Sequence, residues 1–124
     1  MAIRLDHTIV PAREKVASAR FFAEIFGLEV KSGYFAQVRV NESLTLDFAD
    51  EPDTGCIHHY AFHVSDEEFD AILGRVKARR HPFGSGPTSH TDGSTYSLRG
   101  GRGFYYKDRD GHIMEVMTVP ETGS

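Results

Sequence analysis

The chain has 124 residues, of which 40% are hydrophobic and 26% charged, and a net charge of −4. This is enough for one core and matches an ordinary soluble globular composition. The charge gives no electrostatic basis for binding nucleic acid or an anionic membrane, and no apolar run has the length of a membrane span, so neither partner is expected.

The N-terminus enters a strand-like pattern directly, without the n- and h-regions of a signal peptide. Cys56 is the lone cysteine and has no partner for an intrachain disulfide. Both features lead us to expect a cytoplasmic protein.

Alternation and β-branched residues predict a strand over 3–10, ended by Pro11. From Glu14, Val16, Ala19, Ala23 and Phe26 fall at helical spacing with Phe22 beside them, and Gly27 suits the position after the helix. A strand is predicted to begin at Leu28. Two more are predicted over Tyr34–Val40 and Ser43–Ala49, with Asn41-Glu42 as a tight turn. Residues 50–56 form a polar break with Pro and Gly.

A strand over 57–64 follows, then Ser65-Asp66-Glu67-Glu68, a capping-box pattern. The helix it starts buries Phe69, Ile72, Leu73 and Val76, carries Arg79 and Arg80 in its last turn, and stops at His81-Pro82. The stretch 83–101 is rich in Gly, Ser, Thr and Pro and is read as loop plus an edge strand near Tyr96 and Leu98. Strands over Phe104-Tyr105-Tyr106 and His112–Val119 flank a turn at Asp108–Gly111, and Pro120–Ser124 is a polar tail.

The order is βαβββ twice: module one spans 1–50 and module two 56–120. Laid over each other, His7 meets His59 and Asp47 meets Glu115. The second pair is sixteen positions farther apart than the first, and segment 84–101 can hold the excess as an insertion, a candidate lid over a pocket. On a strand, His59, Ala61 and His63 share one face, while Tyr60, Phe62 and Val64 take the other. Glu115 stands between Met114 and Val116, where an unpaired charge is costly and a cation partner is expected. The alternative is a solvent-facing glutamate. Two imidazoles and one or two carboxylates on rigid strands suit a divalent metal. His63 is a candidate ligand-supporting partner or proton shuttle on the pocket wall, the alternative being a hydrogen-bonded histidine at the sheet rim. His58 and His112 are read as structural or exposed.

Three segments resemble the vicinal oxygen chelate superfamily, which includes glyoxalase I, bleomycin- and fosfomycin-resistance proteins and extradiol dioxygenases. They are Leu5-Asp6-His7, His59–Val64, and Gly103–Glu115 with its Asp-Arg-Asp-Gly-His turn, where the usual proline is Arg109. The resemblance spans nearly the whole chain. It implies an α+β fold in which the two βαβββ modules form a cupped, incompletely closed mixed β-sheet with helices outside. It also implies one divalent metal ion (Zn, Ni, Mn or Fe) on His7, His59 and Glu115, with Asp47 as candidate fourth ligand, a small-molecule substrate and a homodimer.

Two histidines and one carboxylate leave coordination positions open, which suits Fe(II) oxygen chemistry or a Lewis-acid ion. Adding Asp47 favours glyoxalase-like lyase or isomerase chemistry, in which a carboxylate (Glu115 or Asp47) moves a proton. The alternatives are an extradiol-type dioxygenase, with His63 and Tyr106 as helpers, and a non-catalytic antibiotic-binding protein. Fosfomycin chemistry would need a basic run, for which Arg99 and Arg102 are the candidates.

Overall fold

The computed structural model describes residues 3–53 and 55–119. In chain order it contains β1 (His7–Ala12), α1 (Lys15–Phe26), β2 (Val30–Ser32), β3 (Ala36–Arg39) and β4 (Thr45–Asp50). These are followed by β5 (His59–His63), α2 (Asp66–Ala78), β6 (Tyr96–Leu98), β7 (Gly101–Lys107) and β8 (Ile113–Met117). The chain divides into two compact units between Cys56 and Ile57. Each is one βαβββ module with a four-stranded mixed sheet, ordered β1-β4-β3-β2 in the first and β5-β8-β7-β6 in the second. The fold is α+β. No helix among the described residues is long and apolar enough to cross a membrane.

In both modules the first and last strands pair parallel, while the hairpin strands between them pair antiparallel. A parallel pair needs a long crossover, and the helix supplies it while covering one face of the sheet. In the first module Val10, Val38, Leu46 and Phe48 face that helix and are fully or almost fully buried. Phe22 is the centre of α1's buried stripe, stacked on Phe26 at 4.4 Å and 6.1 Å from Phe48. Val16 and Phe26 are only half-buried, so the stripe is rotated towards Ser18, Phe22 and Ile25. In the second module α2 buries Phe69, Ile72, Leu73 and Val76 as its spacing predicts, against Phe104, Met114 and Val116. Burying each Phe or Leu contributes about 2–3 kcal/mol.

The helix ends are satisfied differently. Ser65 Oγ accepts from the Glu68 amide at 3.1 Å, and Glu68 accepts from the Ser65 amide at 3.0 Å, completing the capping box. Glu14 makes no side-chain cap for α1, and Asp50 at the end of β4 accepts from the Lys15 amide instead, at 2.9 Å. Gly27 is the left-handed C-cap.

Several boundaries move. The first strand begins at His7 rather than residue 3, because the Thr45 amide meets the Asp6 carbonyl (2.9 Å) and β4 offers nothing earlier. Pro11 does not end it: β1 is an edge strand, where a missing N–H is tolerated. The β2 strand starts at Val30, not Leu28. Asn41 closes a longer turn than a two-residue one, its side-chain oxygen accepting from the Ser43 and Leu44 amides at 2.8 and 2.9 Å. The predicted tail Pro120–Ser124 lies outside the described residues.

The extra length of the second module sits between α2 and β6, in residues 79–95. It is tied to the sheet edge and to itself. Gly84 exchanges two backbone hydrogen bonds with Tyr105 (2.9 and 2.8 Å), filling the edge of β7 beyond β6, and Asp92 accepts from both Ser85 and Ser94.

Residues 99 and 100 join β6 to β7 with both φ angles positive, 49° at Arg99 and 77° at Gly100. This is the conformation in which hairpin turns favour Asn-Gly. Arg99→Asn is expected to raise stability by up to about 1 kcal/mol, read as a higher melting temperature. At the capping box, Ser65→Ala is expected to cost about 1 kcal/mol at pH 7 in urea unfolding. The hydrogen bond from the Ser65 backbone, helped by its side chain, holds Glu68 below the usual carboxylate range. That contribution is therefore present at neutral pH and lost as pH falls through the lowered value. Glu68→Ala should accordingly destabilise at pH 7 and converge on the parent at the acid end of the titration.

Candidate metal centre

The strand register places the four predicted residues in matching positions. In the first module Ile9 pairs with Asp47, and His7 lies two residues before Ile9. In the second Ala61 pairs with Glu115, and His59 lies two residues before Ala61. Side chains alternate along a strand, so each histidine and its carboxylate stand on the same face, opposite the helix.

The second half-site is assembled. His59 Nε2 donates to Glu115 Oε1 at 3.1 Å. Donor atoms about 2.1 Å from a shared ion and roughly at right angles stand about 3 Å apart, so the spacing fits a divalent ion in place of the shared proton. Tyr96 donates its hydroxyl to the other oxygen, Glu115 Oε2, at 2.6 Å. The Glu115 side chain is only 13% exposed, so the two bonds answer the cost of holding a carboxylate in an apolar strand. Burial first, then the hydrogen bond to Glu115, pushes the Tyr96 phenol well up, so it stays a neutral donor throughout the physiological range. Tyr105, paired with Glu115 across the ladder, packs 5.8 Å from the Tyr96 ring and 5.9 Å from the His59 ring.

The first half-site is built from different supports. Asp47 is 5% exposed and accepts from Gln37 Nε2 at 3.0 Å, from the paired position on β3. His7 Nδ1 contacts Asp6 Oδ2 at 2.8 Å. A carboxylate only accepts, so His7 donates from Nδ1, and in the neutral ring Nε2 is the lone-pair nitrogen suited to a metal. The Asp6 hydrogen bond raises the His7 pKa, and the Asp47 charge adds to it. Neither module holds a full ligand set alone: among the described residues no group of three or more His, Cys, Asp or Glu side chains stands together.

Other histidines have separate work. His63 Nε2 donates to the Thr118 carbonyl at 3.2 Å, and its ladder partner is Met117, one pleat beyond Glu115. His58 contacts the Tyr60 hydroxyl at 2.7 Å. His112 is fully buried, and its Nδ1 accepts from the His58 amide at 3.0 Å, so it is structural. Arg102 is held by Asp66 and Asp70 and lies over the Phe69 ring, which removes it from the candidate phosphonate run. Tyr106 is buried in the core at the helix side of the sheet.

A cavity of about 330 Å³ in the second module is bordered by His59, Glu115, Tyr96, Tyr105, Leu98 and Met117. A hollow of about 360 Å³ in the first is bordered by Lys31, Gln37, Arg39 and Thr45. The sequence points to no role for Asp6 or Gln37 and places Tyr96 only on an edge strand. Their signal lay in ladder register, which a single sequence does not print.

The sequence profile of the Glyoxalase/Bleomycin resistance protein/Dioxygenase superfamily matches residues 4–116, and the chain belongs to that superfamily. Among solved structures it is similar to Oxidase ChaP-H1, with 42% identity, a TM-score of 0.91, and coverage of 98% of this chain and 100% of that one. It is likewise similar to Oxidase ChaP-H2, with 40% identity, a TM-score of 0.90, and coverage of 97% and 96%. The fosfomycin resistance protein FosX from Listeria monocytogenes shares the fold at 19% identity, with a TM-score of 0.75 and coverage of 99% and 98%. No curated protein sequence matches the chain.

Asp6→Asn in the metal-free protein is expected to bring the His7 pKa down towards about 6.5, the ordinary imidazole value. An NMR titration of the His7 ring resonances checks this. An unchanged midpoint would mean that Asp6 does not hold the ring.

Proposed function

We propose that this protein is a metal-dependent oxidase of the dioxygenase type, acting on a small molecule that presents two neighbouring oxygens. The observation that carries the reading is the His59–Glu115 pair, 3.1 Å apart in an aromatic-walled cavity, on a chain 40–42% identical to two proteins named oxidases. The proposed ligands are His7, His59 and Glu115, in a homodimeric protein. Such an ion supplies charge stabilisation to neighbouring substrate oxygens and, as Fe(II), electron transfer with dioxygen.

The chain's own residues then have definite tasks. Tyr105 and Tyr96 wall the cavity and limit water access to Glu115. Asp6 sets the His7 tautomer through Nδ1. His63, whose Nε2–H is held by the Thr118 carbonyl, leaves Nδ1 as the lone-pair nitrogen of the neutral ring, and we assign it proton transfer. The reaction is placed in the cytoplasm.

One observation favours a second reading, glyoxalase-like isomerisation: Asp47 is buried in the register position that matches Glu115. A second carboxylate in the ligand set suits proton transfer on a substrate chelate.

Two assays on the full chain reconstituted with Fe(II) or Zn(II) separate them. The oxidase reading expects dioxygen uptake with Fe(II) and an ortho-dihydroxyarene such as catechol. Turnover of the methylglyoxal–glutathione hemithioacetal with Zn(II), without dioxygen uptake, would overturn it in favour of isomerisation. Glu115→Ala is expected to lower metal affinity by more than the roughly 100-fold typical of losing a ligand's hydrogen-bond neighbour, and to abolish turnover. Metal content by atomic emission checks the first part.

A further inference from the structure

We propose that Tyr96, seated over Gly103, is a positioning residue that holds the carboxylate plane of Glu115 so that one oxygen faces His59, and that metal affinity depends on this bond. The inference rests on the reading of Glu115 as a ligand and goes beyond it.

The geometry is specific. Tyr96 lies on the edge strand β6, and its ladder partner on β7 is Gly103. Glu115 lies on β8, one strand farther in, where its partner is Tyr105. The Tyr96 ring must therefore cross β7 to bring its hydroxyl to Glu115 Oε2 at 2.6 Å. It can do so only because position 103 has no side chain. A Cβ there would overlap the Tyr96 Cζ, hydroxyl and Cε2 atoms. On the far side, Tyr105 packs 5.8 Å from the Tyr96 ring, so the phenol is bounded by glycine beneath and an aromatic neighbour alongside.

The consequence concerns a soft torsion. The terminal torsion of a glutamate is broad, so a carboxylate alone in this pocket would turn its plane over a wide range. A short O–H···O⁻ bond is charge-assisted and stronger than a neutral one. With Oε2 held by Tyr96, Oε1 is the oxygen that meets His59 Nε2. The second module thus presents one nitrogen and one oxygen already at the spacing that an ion requires. Preorganisation of this kind removes an ordering cost from binding. The first module holds Asp47 with Gln37, the register counterpart of Tyr105 rather than of Tyr96, so the two modules meet the same requirement from different strands.

The test measures Zn(II) affinity by chelator competition in the metal-free full chain, with the melting temperature of each apo variant recorded in parallel. Tyr96→Phe keeps the ring and removes the hydroxyl. Gly103→Ala keeps the hydroxyl and displaces the ring. Each is expected to weaken Zn(II) binding roughly 10- to 100-fold. Because both act through one bond, the double variant should bind no more weakly than the weaker single variant. Leu73→Ala, a core change on the helix side, is the destabilising control and should leave affinity unchanged.

Wild-type affinity in Tyr96→Phe alongside a large loss in Glu115→Ala would overturn this inference and leave the metal reading standing. Wild-type affinity in Glu115→Ala would overturn both. Multiplying losses in the double variant, or an equal loss in Leu73→Ala, would show that general destabilisation is the cause and would also overturn it.

Discussion

The parallel pairing of the first and last strands within each module is the constraint on which the site depends. It sets His7 against Thr45 and Ile9 against Asp47, and it sets His59 against Ile113 and Ala61 against Glu115. A slip of one residue would turn every side chain of a strand to the other face. The histidines would then meet the helices, and Val10 and Phe62 would meet the solvent-facing side. The apolar face prevents this. Val10, Leu46 and Phe48 in one module, and Phe104, Met114 and Val116 in the other, are held against the helices by their own burial. Core packing on one side of each sheet therefore fixes the chemistry on the other.

On the polar face the Glu115 and Asp47 carboxylates are held at low exposure, and each of them, like the exposed His7, is answered by a neighbour on an adjoining strand or residue. Tyr96 answers Glu115, Gln37 answers Asp47 and Asp6 answers His7. None of these supports is repeated between modules, although the strands that carry the primary groups are. The duplicated scaffold keeps the position of histidine and carboxylate, and the supporting residues differ. The second module's added segment works in the same direction: Gly84 completes the edge of β7 beside Tyr105, the residue that pairs with Glu115.

Much of this was legible in the chain. The α2 helix was readable from both of its signals, the Ser65–Glu68 cap and the four apolar residues that it buries. The duplication was readable because two histidine-bearing strands and two carboxylate-bearing strands recur in order, and the sixteen-residue excess is what the two registers show. Element starts were less legible. A strand ends where its partner ends, and β1 begins at His7 because β4 provides no earlier amide than that of Thr45. Pro11 was misread for the same reason, since its effect depends on whether a neighbour needs its missing N–H, and on an edge none does.

Residue types and spacing alone determined the module order, the buried faces and the four candidate ligands, because periodicity and capping act between residues close in sequence. Tertiary structure decided which groups support those ligands. Tyr96 precedes Glu115 by nineteen positions and reaches it only across a third strand, through a gap left by Gly103. Asp47 finds Gln37 only through the β3–β4 ladder. Such pairings arise from backbone hydrogen bonds between distant segments, and those bonds involve atoms that every residue shares, so side-chain identities alone do not encode them.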